Sequence, residues 1–149
     1  MHGRDGSVKI PVGELTLNEV VVPRTAVVGA EGQGWPVLAR LLDLAAIGIA
    51  ADSLGGAQRA LEMAVEYSKV REQFGRKIGS FQALKHRLAD CFLAVERASA
   101  LAYFAALTVA EDDPRRPLAV AMAKAAVGDC ARLVGRDRPE GASAMGPYG

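Results

Sequence analysis

Few residues in this sequence have the types and spacing that chemistry requires. The two cysteines, Cys91 and Cys130, lie far apart inside apolar segments, in neither a Cys-x-x-Cys nor a Cys/His ligand spacing. Metal binding and dithiol redox chemistry therefore lack support, and both thiols read as buried core residues. His86 stands between Lys85 and Arg87 on a polar helix face, the setting of a solvated surface histidine. Gly29, Gly32 and Gly34 do not follow the spacing of a phosphate loop, and no βαβ unit surrounds them. Asp43 is a lone carboxylate in an apolar stretch. The densest set of candidates is Tyr67 to Gln82, which holds Arg71, Gln73, Phe74 and Gln82. Read as structure alone, Arg71 caps a helix end while Phe74 and Phe81 pack a turn.

The elements that must position these residues are mostly helical. Residues 1–34 differ in texture from the rest: Val8 to Val12 and Leu15 to Val22 are short, β-branched and partly alternating, punctuated by Pro11, Gly13 and Pro23. Two or three strands are expected there, and they need neighbours, because a lone pair of strands is rarely stable in water. From Trp35 the pattern turns helical, with Val37, Leu38, Leu41, Leu42 and Ala45 at three- and four-residue steps. The first half of this helix is apolar nearly all round, which predicts burial at the centre of an assembly. Gly55-Gly56 marks a bend or a close helix approach.

That helix should stop near Gln73-Phe74-Gly75, and Ser80 is a suitable cap for the next. Leu84, Leu88, Cys91, Val95, Ala98 and Ala102 then carry a second helix to about Ala110, on the order of 45 Å long. Asp112 to Pro117 is a break with acidic and proline start signals for a third helix, marked by Leu118, Met122, Ala125, Ala126, Asp129 and Leu133. The expected architecture is an up-and-down helical bundle with a short N-terminal β remnant: residues 1–34, a bundle over 35–135, and an irregular tail over 136–149. Three helices of such a bundle lack a fourth to close the core. Self-association through the open face follows.

Half of the 149 residues are hydrophobic, 23% are charged, and the formal net charge is +1, which is a globular composition. No clustered positive excess suggests a nucleic-acid partner. The richest apolar stretch, Val37 to Leu54, is interrupted by Arg40, Asp43 and Asp52, so no membrane span is expected. The start, Met1 to Asp5, lacks a signal-peptide pattern, and a cytoplasmic location is expected.

One segment resembles a known family. Arg71-Glu72-Gln73-Phe74-Gly75, a linker containing Ile78, then Phe81-Gln82 and Leu88-Ala89-Asp90, is similar to the Arg-x-Gln-Phe-Gly … Phe-Gln … Leu-Ala-Asp pattern of the acyl-CoA dehydrogenases. Val22-Pro23 and Val28 to Trp35 resemble that family's exit from its middle β-domain, so the likeness covers roughly residues 8–135. The resemblance implies the C-terminal helical domain of an FAD-dependent enzyme, commonly a tetramer, that oxidises an acyl-CoA thioester and passes electrons to an electron-transferring flavoprotein. It implies that Arg71 meets the FAD pyrophosphate of a neighbouring subunit, a role suited to a permanently charged donor fork. Gln73 and Phe74 would line the same cofactor, and Gln82 its adenine end.

The sequence also departs from the family. Most members carry the catalytic glutamate late in the chain, beyond a glycine turn that Gly141 to Gly146 only faintly resembles, and no catalytic residue is assigned here. Others place it on the first helix in a Leu-Asp-Leu-Glu-Arg context, where this sequence has Leu42-Asp43-Leu44-Ala45-Ala46. Asp43 lies two residues earlier, about 200° around the helix. It either lines the acyl-CoA cleft or is a solvated or paired carboxylate. These departures leave three expectations: part of a true dehydrogenase, a non-catalytic FAD-clamping or assembly subunit of a heteromeric one, or an inactive helical interaction module.

Overall fold

A computed structural model describes residues 13–136. The chain divides into two units, Met1–Gly34 and Trp35–Gly149. In the first, the expected strand over Val8 to Val12 and the remainder of residues 1–12 lie outside the described residues, as does the tail beyond Arg136. Leu15 to Val22 forms no strand, and the one regular feature is a 3-10 turn over Arg24–Ala26. Strand preference in β-branched residues reflects packing on a neighbouring strand. Val20, Val21 and Val22 are all exposed, with none to pack on among the described residues.

The second unit is three helices: α1 (Gly34–Val70), α2 (Gln82–Ala110) and α3 (Arg116–Arg136). Between α1 and α2 lie two short strands, β1 (Glu72–Gln73) and β2 (Arg76–Lys77), then a 3-10 turn over Ile78–Ser80. α1 runs 37 residues without a break through Gly55-Gly56. A Cβ added at either glycine meets only open space, so the pair marks neither a break nor a close approach.

Small residues make the core. Ala50, Ala57 and Leu61 of α1 meet Cys91, Val95 and Ala98 of α2 and Ala126, Val127, Cys130 and Val134 of α3. A second cluster joins Ala105 to Ala119, Val120 and Ala123, with Ala46 and Ile47 packed against it. Early α2 thus faces late α3 and late α1, which is the antiparallel arrangement that short connections favour. α2 and α3 lie closest, because Ala98, Ala105, Ala119 and Ala123 put only methyl groups between them.

The first half of α1 is not buried by the described chain: Leu41 is 56% and Leu42 54% exposed. The all-round apolar pattern anticipated cover on every side, and α2 and α3 supply it on one. α2 is also long and apolar enough to cross a bilayer by length and composition, contrary to the expectation from sequence. Its buried face is nevertheless the alanine, valine and cysteine seam of the bundle, and Glu96 and Arg97 stand at its middle.

Helix starts are handled in two ways. At α3, the Asp113 carboxylate accepts the Arg115 backbone N–H at 2.7 Å, and Pro114 gives up no donor that the helix needs. At α2, Ser80 does not cap. It sits in the 3-10 turn and donates its hydroxyl to the Lys77 carbonyl at 2.7 Å. Phe81 takes the cap position without a side-chain bond.

Candidate functional site at the hairpin end of the bundle

α1 ends where Arg71 N–H donates to the Tyr67 carbonyl at 2.9 Å, and the chain turns back at once. β1 and β2 pair antiparallel, Glu72 opposite Lys77 and Gln73 opposite Arg76. The two residues between them, Phe74 and Gly75, have φ of 53° and 74°. Two consecutive left-handed residues make the primed turn that suits the twist of a two-residue hairpin. Glycine adopts that conformation freely, whereas phenylalanine does so at a cost.

Several contacts hold this strained tip. Ile78 N–H donates to the Arg71 carbonyl at 2.8 Å. The Phe74 and Phe81 rings meet edge to face, with centroids 6.3 Å apart, and the Arg76 guanidinium lies 4.2 Å over the Phe81 ring. Below them, Gly79 is wedged against the end of α1. A Cβ there would fall 2.9 Å from the Ser68 carbonyl oxygen. Ser68 is buried, and its hydroxyl donates to the Val65 carbonyl.

Arg71, Gln73, Phe74 and Gln82 are therefore gathered at one end of the bundle, all exposed, with Phe74 at 91%. Phe81, touching both Phe74 and Arg76, links the hairpin to Gln82 at the start of α2. The hairpin was not anticipated from sequence. Its strands are two residues each, too short to show alternation, and the one available signal was Gly75 between two polar pairs.

The same end collects positive charge. Residues 69–87 contain Lys69, Arg71, Arg76, Lys77, Lys85 and Arg87 against Glu72 alone, a net +5 in a chain of net +1. This corrects the expectation that no positive cluster exists: the run is already present in the sequence, where the near-neutral charge of the whole chain hides it. Lys69 pairs with Glu66 at 2.6 Å. Arg71, Arg76, Lys77 and Lys85 have no carboxylate partner among the described residues.

Asp43 lies elsewhere, about 40 Å away along α1 at 1.5 Å per residue. Its carboxylate accepts from Arg116 Nε at 3.0 Å, and both side chains are about four-fifths buried, with exposures of 21% and 20%. Arg116 also reaches Asp112 at 2.8 Å, and Arg40 reaches Asp112 at 2.7 Å. Beside them, Arg115 grips Asp113 and holds its carboxyl at about 2, well below the usual range. This network borders a cleft of about 690 Å³ walled by Pro36, Val37, Leu41 and Leu44. Ala45 is exposed and Ala46 half-buried, and neither can exchange a proton. Burial pushes the Cys130 thiol up, so it is a packed core group rather than a nucleophile.

Residues 32–147 match the family model described as the acyl-CoA dehydrogenase C-terminal domain, and the chain belongs to that family. It is 39% identical over 136 residues to a short-chain specific acyl-CoA dehydrogenase of Megasphaera elsdenii, covering 91% of this chain and 34% of that one. Among solved structures, it matches a chain from the electron transferring flavoprotein structure of Acidaminococcus fermentans at 42% identity and a TM-score of 0.74, covering 85% of this chain and 32% of that one. It matches PigA, solved with FAD and proline, at 28% identity and a TM-score of 0.76, covering 88% and 33%. The chain thus spans about a third of the length of these relatives.

Proposed function

We propose that this chain supplies the nucleotide-facing edge of an FAD-dependent acyl-CoA dehydrogenase. The observation that carries this reading is the preset hairpin: Arg71, exposed and with no carboxylate partner among the described residues, stands beside Gln73 and Phe74 on a turn whose strain is held by packing. The residues present fit the distal part of such a cofactor. Arg71 offers a fixed fork of donors to a pyrophosphate, Gln73 and Gln82 offer amides, and Phe74 offers an exposed ring face. Bound FAD supplies the hydride acceptor for oxidation of an acyl-CoA thioester across its α and β carbons, with electrons leaving to an electron-transferring flavoprotein. This chain's residues bind and orient, and none described stands ready to take the α proton.

A cofactor edge on an exposed tip suits a site completed by another subunit. The uncovered apolar surface of α1 at Val37, Leu38, Leu41 and Leu42 suits assembly as well. Ala45 and Ala46 favour a second reading, a clamping or assembly subunit beside a separate catalytic chain.

The test is an FAD titration of the full chain with sedimentation of the complex. FAD should bind to a dimer or larger species, and Arg71→Ala should weaken it about tenfold or more, the worth of a charge-assisted bond. Equal FAD affinity in wild type and Arg71→Ala, or none in a folded sample, would refute the reading.

A further inference from the structure

The 3-10 turn over Ile78–Ser80 rests directly on the end of α1, and Gly79 is where the two meet. A Cβ built on Gly79 would lie 2.9 Å from the Ser68 carbonyl oxygen, 3.1 Å from Ser68 Oγ and 3.3 Å from the carbonyl carbon. Gly79 does not have the left-handed φ of Gly75, so its contact with α1, and not its own backbone conformation, excludes a side chain. Ordinary contact begins near 3.4 Å, so a methyl there must open the junction by roughly half an ångström. α1 cannot yield that space: Ser68 is 5% exposed, and its hydroxyl donates to the Val65 carbonyl at 2.7 Å within the helix. The turn has to move. Ile78 N–H donates to the Arg71 carbonyl at 2.8 Å, and Phe81 N–H donates to the Ile78 carbonyl at 3.1 Å. Whatever displaces the turn therefore also displaces Arg71 and Phe81. Gly55 supplies the contrast, since a Cβ there meets nothing within 4 Å.

We propose that Gly79 is a positioning residue for the hairpin edge: its bare Cα lets the 3-10 turn seat on α1, and that seating sets where Arg71 stands. A group that holds a ligand must be placed to within about 0.5 Å, which is the size of the shift that one methyl at residue 79 forces. The buried clusters of the bundle include no residue of the turn, so the substitution displaces the edge and leaves the helices packed. That the edge meets FAD rests on the function proposed above. That Gly79 places the edge does not.

Amide hydrogen exchange and FAD titration of the full chain test this, with helical content checked for each variant. Gly79→Ala should speed exchange of the Ile78 and Arg71 amides about tenfold, while the Val95 and Val127 amides of the core keep the wild-type rate. Gly55→Ala should change neither exchange at the hairpin nor FAD affinity. Gly79→Ala should weaken FAD about threefold or more, and by no more than Arg71→Ala does. In the Arg71→Ala background it should add less than about twofold, because both changes act through one group. Ile78→Pro, which the extended Lys77 before it accommodates, removes the same N–H and should also speed Arg71 exchange. It decides the point if Gly79→Ala does not fold. Unchanged Arg71 exchange in the variant that folds would overturn the proposal. So would an equal FAD loss with and without Arg71, or wild-type FAD affinity in Gly79→Ala where Arg71→Ala weakens it. If wild type binds no FAD, or Arg71→Ala leaves its affinity unchanged, the proposed function fails, and exchange alone decides the role of Gly79.

Discussion

At the end of the bundle where α1 begins, Arg40, Asp112, Arg116 and Asp43 close into one chain of ion pairs, and Arg115 holds Asp113 beside them. At the end where α1 stops, Arg71, Arg76, Lys77 and Lys85 have no carboxylate partner among the described residues, and Phe74 is exposed and left-handed. Both ends are rich in arginine, and the surroundings decide its use. The half-buried Arg116–Asp43 pair ties the first helix to the third, where an unpaired charge would be costly. In water an unpaired surface cation costs little by itself, so the hairpin cations remain available to an anion. The paired end serves the scaffold, and the hairpin end is the one proposed above to meet a ligand.

The largest expected effect breaks the paired end. Arg116→Ala leaves Asp43 mostly buried without its partner and should lower unfolding stability by about 2 kcal/mol, discounted from a fully buried pair for the remaining exposure. Lys77→Gln with Lys85→Gln removes two charges from the other end and should leave the urea midpoint unchanged or slightly raised. Equal losses at the two ends, measured by denaturant unfolding followed by circular dichroism, would dissolve the contrast.

Much of the scaffold is readable in the sequence, because helical periodicity is a long-range signal repeated over many turns. Leu61, Cys91, Val95 and Ala98 lie on predicted apolar stripes and are buried together. Asp113 and Pro114 signal the start of α3 by local chemistry alone. Other features depend on contacts that periodicity does not encode. Leu15 to Val22 has strand-forming residues and no described partner strand. Ser80 has a capping side chain, but the 3-10 turn directs it to Lys77. Ala45 and Leu42 lie on an apolar face that the described chain leaves exposed. At the candidate site, the motif singled out Arg71, Gln73, Phe74 and Gln82, while the hairpin and the Arg76–Phe81–Phe74 stack come from the turn's geometry. The Asp43–Arg116 pair joins residues 73 apart in sequence, beyond the reach of any local pattern.

A smaller effect sharpens the unpaired end. Phe74 carries the turn's left-handed conformation where asparagine adopts it more readily. Phe74→Asn should therefore raise stability by about 1 kcal/mol or less, after loss of the contact with Phe81 is set against relief of strain. The same change should weaken FAD, because the exposed ring is removed. Opposite signs in unfolding and in FAD titration would mark Phe74 as kept for binding rather than for folding. A loss of stability would instead make its ring a packing element.

The smallest effect returns to the paired end and depends on pH. Arg115 holds the Asp113 carboxyl at about 2 against an ordinary value of 3.8, so its ionised form is favoured by the folded state. The stabilisation is fully present above the unfolded value and disappears as pH falls from about 4 toward 2. Asp113→Asn keeps an oxygen that can accept the Arg115 N–H but loses the titration, so its thermal midpoint should vary less across that window than the wild type's. The hairpin cations meet no carboxylate among the described residues, and replacing them should leave the acid slope as it is. An acid slope that survives Asp113→Asn unchanged would show that the Asp113–Arg115 pair does not set it.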